Sequence, residues 1–147
     1  MKKAALQAGI AGALAMEIRS VYRTLKQRVR EHGAGNDLTP TQVAVLVHLE
    51  RDGATTASAL ARAEGMKPQS MREVVTPLRE AGFLRAAPDP GDGRQTLLSL
   101  SPKCVKWIQQ GRAASHDWLT SEISHMLSVT EQRKLLDALA LLRRLVE

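Results

Sequence analysis

"KPQSMREVVTPLREAGFLRAAPDPGDGRQTLLSLS", residues 67–101, changes its period halfway along. In the first half Met71, Val74, Val75 and Leu78 recur at three- and four-residue spacing, the mark of a helix with one buried face. Pro68 suits the first helical position and Gly82 the stop. Pro77, inside the helix, removes the bond to the Glu73 carbonyl and is expected to kink the C-terminal half. In the second half Phe83–Ala86 and Thr96–Leu100 read as two short antiparallel strands. Between them "PDPGDGRQ" sets Pro, Gly and Asp around a single arginine, a turn with no apolar stake in a core.

Two further helices precede this stretch. "LTPTQVAVLVHLERDG", residues 38–53, carries a full start signature: Thr39 as N-cap, Pro40 at the first position and Gln42 to complete a capping box. Val43, Leu46, Val47 and Leu49 form its expected apolar face, and Gly53 stops it. "TTASALARAEG", residues 55–65, reads as a short helix with Leu60 inward and Gly65 as terminator. Three helices joined by glycine turns make a helix-turn-helix, and the hairpin behind it is a wing.

The flanks are long helices. Leu6, Ile10, Leu14, Ile18, Val21, Leu25 and Val29 mark one helix from Lys3 to Glu31, ending at Gly33 and Gly35. Such a stripe is hard to bury within a small monomer and is expected to meet another subunit. Ser101-Pro102 opens a helix to about His125, with Val105, Ile108, Trp118, Leu119 and Ile123 apolar. Ser128 and Glu131 make a second capping box, and Leu135, Leu139, Leu142 and Val146 follow as a stripe. The expected fold is mainly α with a small β-wing. One domain, 1–147, would hold a winged helix-turn-helix lobe, 38–101, flanked by long dimerisation helices, 1–33 and 102–147.

Composition narrows the function. The 147 residues are 44% apolar, 24% charged and only 3% aromatic. So few aromatics leave little surface on which to stack unpaired bases, which argues against a single-strand reader. A net charge of +6 and a pI near 10.0 favour a polyanionic partner. The lone Cys104 cannot close an internal disulfide and suits a reducing cytoplasm. "MKKAALQAGIAGALAM" imitates a secretory signal, but its periodicity continues past Glu17, so it reads as helix. No run approaches the roughly 20 apolar residues of a membrane span. His32, His48, His116 and His125 show no i,i+4 pairing and no cysteine cluster, so neither metal nor cofactor is expected. With no nucleophile elbow, phosphate loop or carboxylate pair, no enzyme is expected either.

The candidate chemistry is DNA reading. Lys67, Gln69, Ser70 and Arg72, with Thr76 one turn on, are short polar and basic groups at the start of the second helix of the helix-turn-helix. That end of such a helix reaches base edges in the major groove, and its free N–H groups favour phosphate. Gln69 could pair an adenine edge and Arg72 a guanine edge, each worth roughly 1–3 kcal/mol of discrimination. Arg94, held out by the turn, suits the negative potential of a minor groove, and Asp92 is placed to pair with it and fix its direction.

Taken together, "LTPTQ…LARAEGMKPQSMREVV…LREAGFL…DPGDGRQTLLSLS" resembles the MarR family of winged-helix transcriptional regulators. The resemblance implies recognition-helix roles for Gln69, Ser70 and Arg72 and wing roles for Asp92 and Arg94. It also implies a homodimer on pseudo-palindromic double-stranded DNA, most simply a repressor, released in many members by a small ligand or an oxidant. Gly93 stands where many members carry a second arginine, so a weaker wing is expected. His116 and Trp118 are candidate ligand contacts. Cys104, between Lys103 and Lys106 in a first turn, is the candidate for an oxidant-responsive alternative, although family members that sense oxidants carry their cysteine in the first helix. A winged-helix module that contacts another protein is the other alternative.

Overall fold

Thr39 closes its capping box as expected: its hydroxyl accepts from the Gln42 N–H at 3.2 Å, and the Gln42 side chain accepts from the Thr39 N–H at 2.9 Å. The computed structural model that shows this describes residues 2–33 and 37–147, with side chains from residue 8 onward. The Leu6 side chain and Gly35 lie outside the described residues. In chain order the elements are α1 (Lys2–Glu31), α2 (Pro40–Asp52), β1 (Thr55–Thr56), α3 (Ala57–Ala63), α4 (Pro68–Glu80), β2 (Leu84–Pro88), β3 (Thr96–Leu100), α5 (Pro102–Met126) and α6 (Val129–Arg143). The chain gathers into two compact units, one of residues 34–112 and one of residues 1–33 with 113–147. No helix among the described residues is long and apolar enough to cross a membrane.

In the winged unit, α3 and α4 both end in the same device. Gly65 and Gly82 take φ values of 63° and 75°, which a side chain would resist. The next residue then donates back into the helix, Met66 to the Ala61 carbonyl at 2.8 Å and Phe83 to the Leu78 carbonyl at 2.9 Å. Phe83 therefore belongs to a helix stop, and β2 starts at Leu84 rather than Phe83. β2 pairs antiparallel with β3, Leu84 opposite Leu100 and Pro88 opposite Thr96.

β1 was not foreseen. Thr55 and Thr56 pair with Leu98 and Leu97, so the sheet order is β1-β3-β2. Thr56 serves twice, because its hydroxyl also accepts from the Ala59 N–H at 3.2 Å and caps α3. Two residues carry no periodicity that a sequence reading could register.

The core of this unit is aliphatic: Val45, Leu46, Leu49, Leu60, Met71, Val75, Leu78, Leu84 and Leu98, with Ala61 and Cys104. Val47, expected to face inward, is 51% exposed, and Val45 takes the buried place at 0%. The run "VAVLV" offers two apolar stripes, and packing chooses the one through Val45 and Leu49. Pro77 leaves α4 continuous from Pro68 to Glu80. The carbonyl it cannot serve is that of exposed Glu73, where water can substitute. Ser101 joins the wing to α5. Its buried hydroxyl donates to the Gly82 carbonyl at 2.6 Å and accepts from the Cys104 N–H at 3.1 Å.

In the helical unit the end of α1 meets α5. The His32 ring stacks on Trp118 with centroids 4.2 Å apart, and the Ser115 hydroxyl donates to the Val29 carbonyl at 3.1 Å. α6 opens on the expected capping box but buries no residue.

Candidate nucleic-acid interface

The first turn of α4 is open. Lys67 is the N-cap but makes no side-chain cap bond, and Pro68 has no N–H to satisfy. The first intrahelical bond runs from the Met71 N–H to the Lys67 carbonyl at 3.1 Å, so the N–H groups of Gln69 and Ser70 precede the ladder. An uncapped N-terminus keeps its partial positive charge for an outside acceptor.

Beside that turn lies a groove of about 790 Å³, walled by α3, α4 and the wing. Arg62 from α3, Arg72 and Arg79 from α4, and Arg94 from the wing all line it. Among the described residues no aspartate or glutamate does. Val75 and Leu98 form its apolar floor, and Ser58, Thr76, Gln95 and Thr96 add hydroxyl and amide groups. None of the four guanidinium groups makes an ion pair among the described residues. Four unneutralised cations around one concavity sum to a strongly positive local potential.

Of the residues singled out in the sequence, Arg72, Thr76 and Arg94 converge on this groove, while exposed Lys67 and Gln69 and half-buried Ser70 stand outside its lining at the start of α4. The Thr76 hydroxyl donates back to the Arg72 carbonyl at 2.8 Å, leaving its lone pairs as acceptors. Arg62, Arg79, Ser58 and Gln95 were missed. For Arg79 a signal existed: Arg72, Thr76 and Arg79 stand at i, i+4 and i+7 and so share one helical face.

Asp92 differs from expectation. Its carboxylate accepts from the backbone N–H of Arg94 at 3.1 Å instead of pairing with the guanidinium, and its carbonyl accepts from the Gln95 N–H at 2.9 Å. A two-residue spacing favours this Asx turn, which folds the short side chain back on its own loop. Asp89 does the same for the Gly91 N–H at 2.8 Å. The two aspartates thus shape the wing tip and leave the Arg94 charge unspent.

The remaining candidates lie elsewhere. Trp118 is engaged by His32, with the Arg28 guanidinium 5.9 Å from its ring centre, and His116 is exposed in the same unit. Cys104 is fully buried, and burial first, the Glu50 carboxylate second, push its thiol up to about 11. Reaction with an oxidant needs an accessible thiolate, and this environment works against both conditions.

The comparisons with known proteins agree with this geometry. Residues 36–95 match the MarR family. An HTH-type transcriptional regulator of Mycobacterium tuberculosis is 31% identical over 134 residues, 91% of this chain and 93% of its own. A Pseudomonas aeruginosa structure described as a transcriptional regulator aligns with a TM-score of 0.76 at 29% identity, over 92% of this chain and 94% of that one. A mutant of MepR from S. aureus, bound to an oligodeoxyribonucleotide, has a TM-score of 0.69 over 91% of this chain and 98% of its own. At 18% identity that last likeness speaks for the fold alone. Relatives of this kind are regulators and not enzymes. The chain belongs to the MarR family, as a winged-helix DNA-binding transcription regulator.

Proposed function

We propose that the protein is a homodimeric repressor that reads a pseudo-palindromic operator through the groove between α3, α4 and the wing. The observation that carries this is the convergence of Arg62, Arg72, Arg79 and Arg94 on a concavity that no acidic side chain among the described residues lines. Gln69, Ser70, Arg72 and Thr76 read base edges in the major groove, Lys67 and the open first turn hold phosphate, and Arg94 enters the minor groove. Asp92 contributes by shaping the wing tip. The dimer is supported by apolar side chains left in solvent, among them Leu14 at 56% and Leu136 at 66% exposed. Two recognition helices about 34–36 Å apart would then meet successive major grooves. Release by a small ligand, and action in the cytoplasm, are parts of the reading that rest on the family. Duplex DNA as the partner class rests on the acid-free arginine groove and on the family. The buried Cys104 gives the oxidant-responsive alternative no support.

The test is to select genomic fragments with the purified protein and compete them with random duplex. Retention of a fragment with two half-sites one helical turn apart is the expected outcome. A folded dimer that retains no duplex even at low salt would overturn the reading and favour a protein-interaction module.

A further inference from the structure

The positive charge of this chain is not concentrated in its winged unit. Residues 34–112 hold ten Lys and Arg against eight Asp and Glu, whereas residues 1–33 hold seven against two. Within α1, Arg19, Arg23, Lys26 and Arg30 stand at i, i+4, i+7 and i+11. At 100° per residue they form one row about 16 Å long on one side of the helix. Arg19, Arg23 and Lys26 are exposed. None of the three makes an ion pair among the described residues. Lys26 lies 5.9 Å from the Tyr22 ring centre, a contact that leaves its charge intact. The two acids of α1, Glu17 and Glu31, fall on other sides of the helix, and Glu31 accepts from Gln27 at 3.0 Å and pairs with Arg28 at 3.7 Å. The apolar stripe from Ile10 to Val29 occupies a different side of the helix from the row.

We infer that this row on α1 is a second polyanion-binding surface, which holds the phosphate backbone of duplex DNA. The inference rests on the DNA-binding reading of the winged unit and adds a contact outside it. Duplex DNA presents about one charge per 1.7 Å, so a row of this length faces on the order of ten phosphate charges. Cations spaced along one exposed side of a helix meet the phosphate backbone first, so the contribution of the row is independent of sequence and sensitive to salt. An anionic membrane is disfavoured because the apolar side of α1 is built of Ala, Leu, Ile and Val, without Trp or Phe to anchor it.

The experiment uses the intact protein with Arg19→Gln, Arg23→Gln and Lys26→Gln combined, against a random-sequence duplex several helical turns long. Affinity is measured between about 50 and 200 mM salt. Each lost phosphate contact lowers the slope of log K against log salt by about 0.9, so the variant is expected to lose about 2 to 3 for each protomer whose row meets the duplex. The charge-keeping swap Arg19→Lys, Arg23→Lys, Lys26→Arg is expected to retain the slope. Melting temperature and molecular mass of the variant should match the parent. An unchanged slope, or a loss that follows a changed dimer mass, overturns the inference. So does row-dependent binding to phosphatidylserine vesicles with duplex binding untouched. If the parent itself binds no duplex, the groove reading falls together with this one. An unchanged slope beside a duplex-binding parent removes the α1 row alone.

Discussion

Leu60 in the winged unit and Leu139 in the helical unit are both members of amphipathic helical stripes, yet the first is 0% exposed and the second 44%. The difference runs through the two units. Residues of α2, α3, α4, β2 and β3 and the first turn of α5 close around one aliphatic core, whereas α6 buries nothing and α1 leaves Ile10, Leu14 and Val21 in solvent. Local patterning is equally good in both places. On the dimer reading, what differs is whether the partner surface lies within the chain. The winged unit encloses its own core, while the helical unit holds apolar faces for a second subunit to cover.

The sharpest way to break this comparison is to truncate one residue on each side of it. Leu60→Ala removes a fully enclosed side chain and is expected to cost about 2–5 kcal/mol. The loss should be the same at every protein concentration, as read by urea unfolding. Leu139→Asp should behave oppositely. On the dimer reading it places a carboxylate in an apolar interface, costs about 2 kcal/mol or more of association, and appears as a concentration-dependent shift from dimer to monomer in sedimentation. If Leu139→Asp leaves the mass unchanged, the exposed stripe has another explanation and the comparison fails.

A smaller effect sharpens the winged side alone. Arg79→Ala and Arg72→Ala act on one face of α4 and should each weaken operator binding by roughly 1–3 kcal/mol without altering the melting temperature. Loss of preference at a particular base pair would assign a base edge. A uniform loss across sequences would assign a phosphate. Equal binding by both variants and the parent would show that the acid-free groove is not where DNA lies.

Most of the architecture was legible in the sequence, and the exceptions have physical reasons. Thr39, Ser101 and Ser128 mark helix starts through local hydrogen bonding and Pro68 through its fixed φ, signals that the sequence states directly. β1 was invisible because a two-residue strand is defined by its partner on β3, a contact across some forty residues. Val47 was misplaced because five apolar or small residues in a row fit two faces, and only the packed core selects one. At the candidate site, Arg72, Thr76 and Arg94 could be found from helix and turn position. Arg62 joins them only because α3 is folded against the same concavity. The partner of Asp92 was misjudged because a carboxylate two residues from a cation has a nearer donor, the backbone N–H itself. Cys104 carried a reactive-looking neighbourhood of lysines in the sequence, but its burial is a property of tertiary packing.

The smallest expected effect compares the two capping boxes, which have the same geometry and different chemistry. In α2 the reciprocal partner of Thr39 is neutral Gln42; in α6 the partner of Ser128 is Glu131, whose carboxylate accepts from the Ser128 N–H at 2.8 Å and hydroxyl at 2.7 Å. These bonds, the hydroxyl first, hold the Glu131 carboxyl below its ordinary 4.5. A depressed folded value means that its stabilisation is fully present above pH 4.5 and lost as pH falls through the folded value. Thr39→Ala should therefore cost about 1 kcal/mol in urea unfolding, equally at neutral and acidic pH. Ser128→Ala should cost most at neutral pH and progressively less as Glu131 takes up its proton. Because α6 belongs to the unit with exposed apolar faces, part of that loss should also appear as weaker self-association, which Thr39→Ala should not produce. A pH-independent Ser128→Ala cost would place the α6 cap on the hydroxyl alone, and an effect on dimer mass from Thr39→Ala would blur the boundary between a self-sufficient unit and an unfinished one.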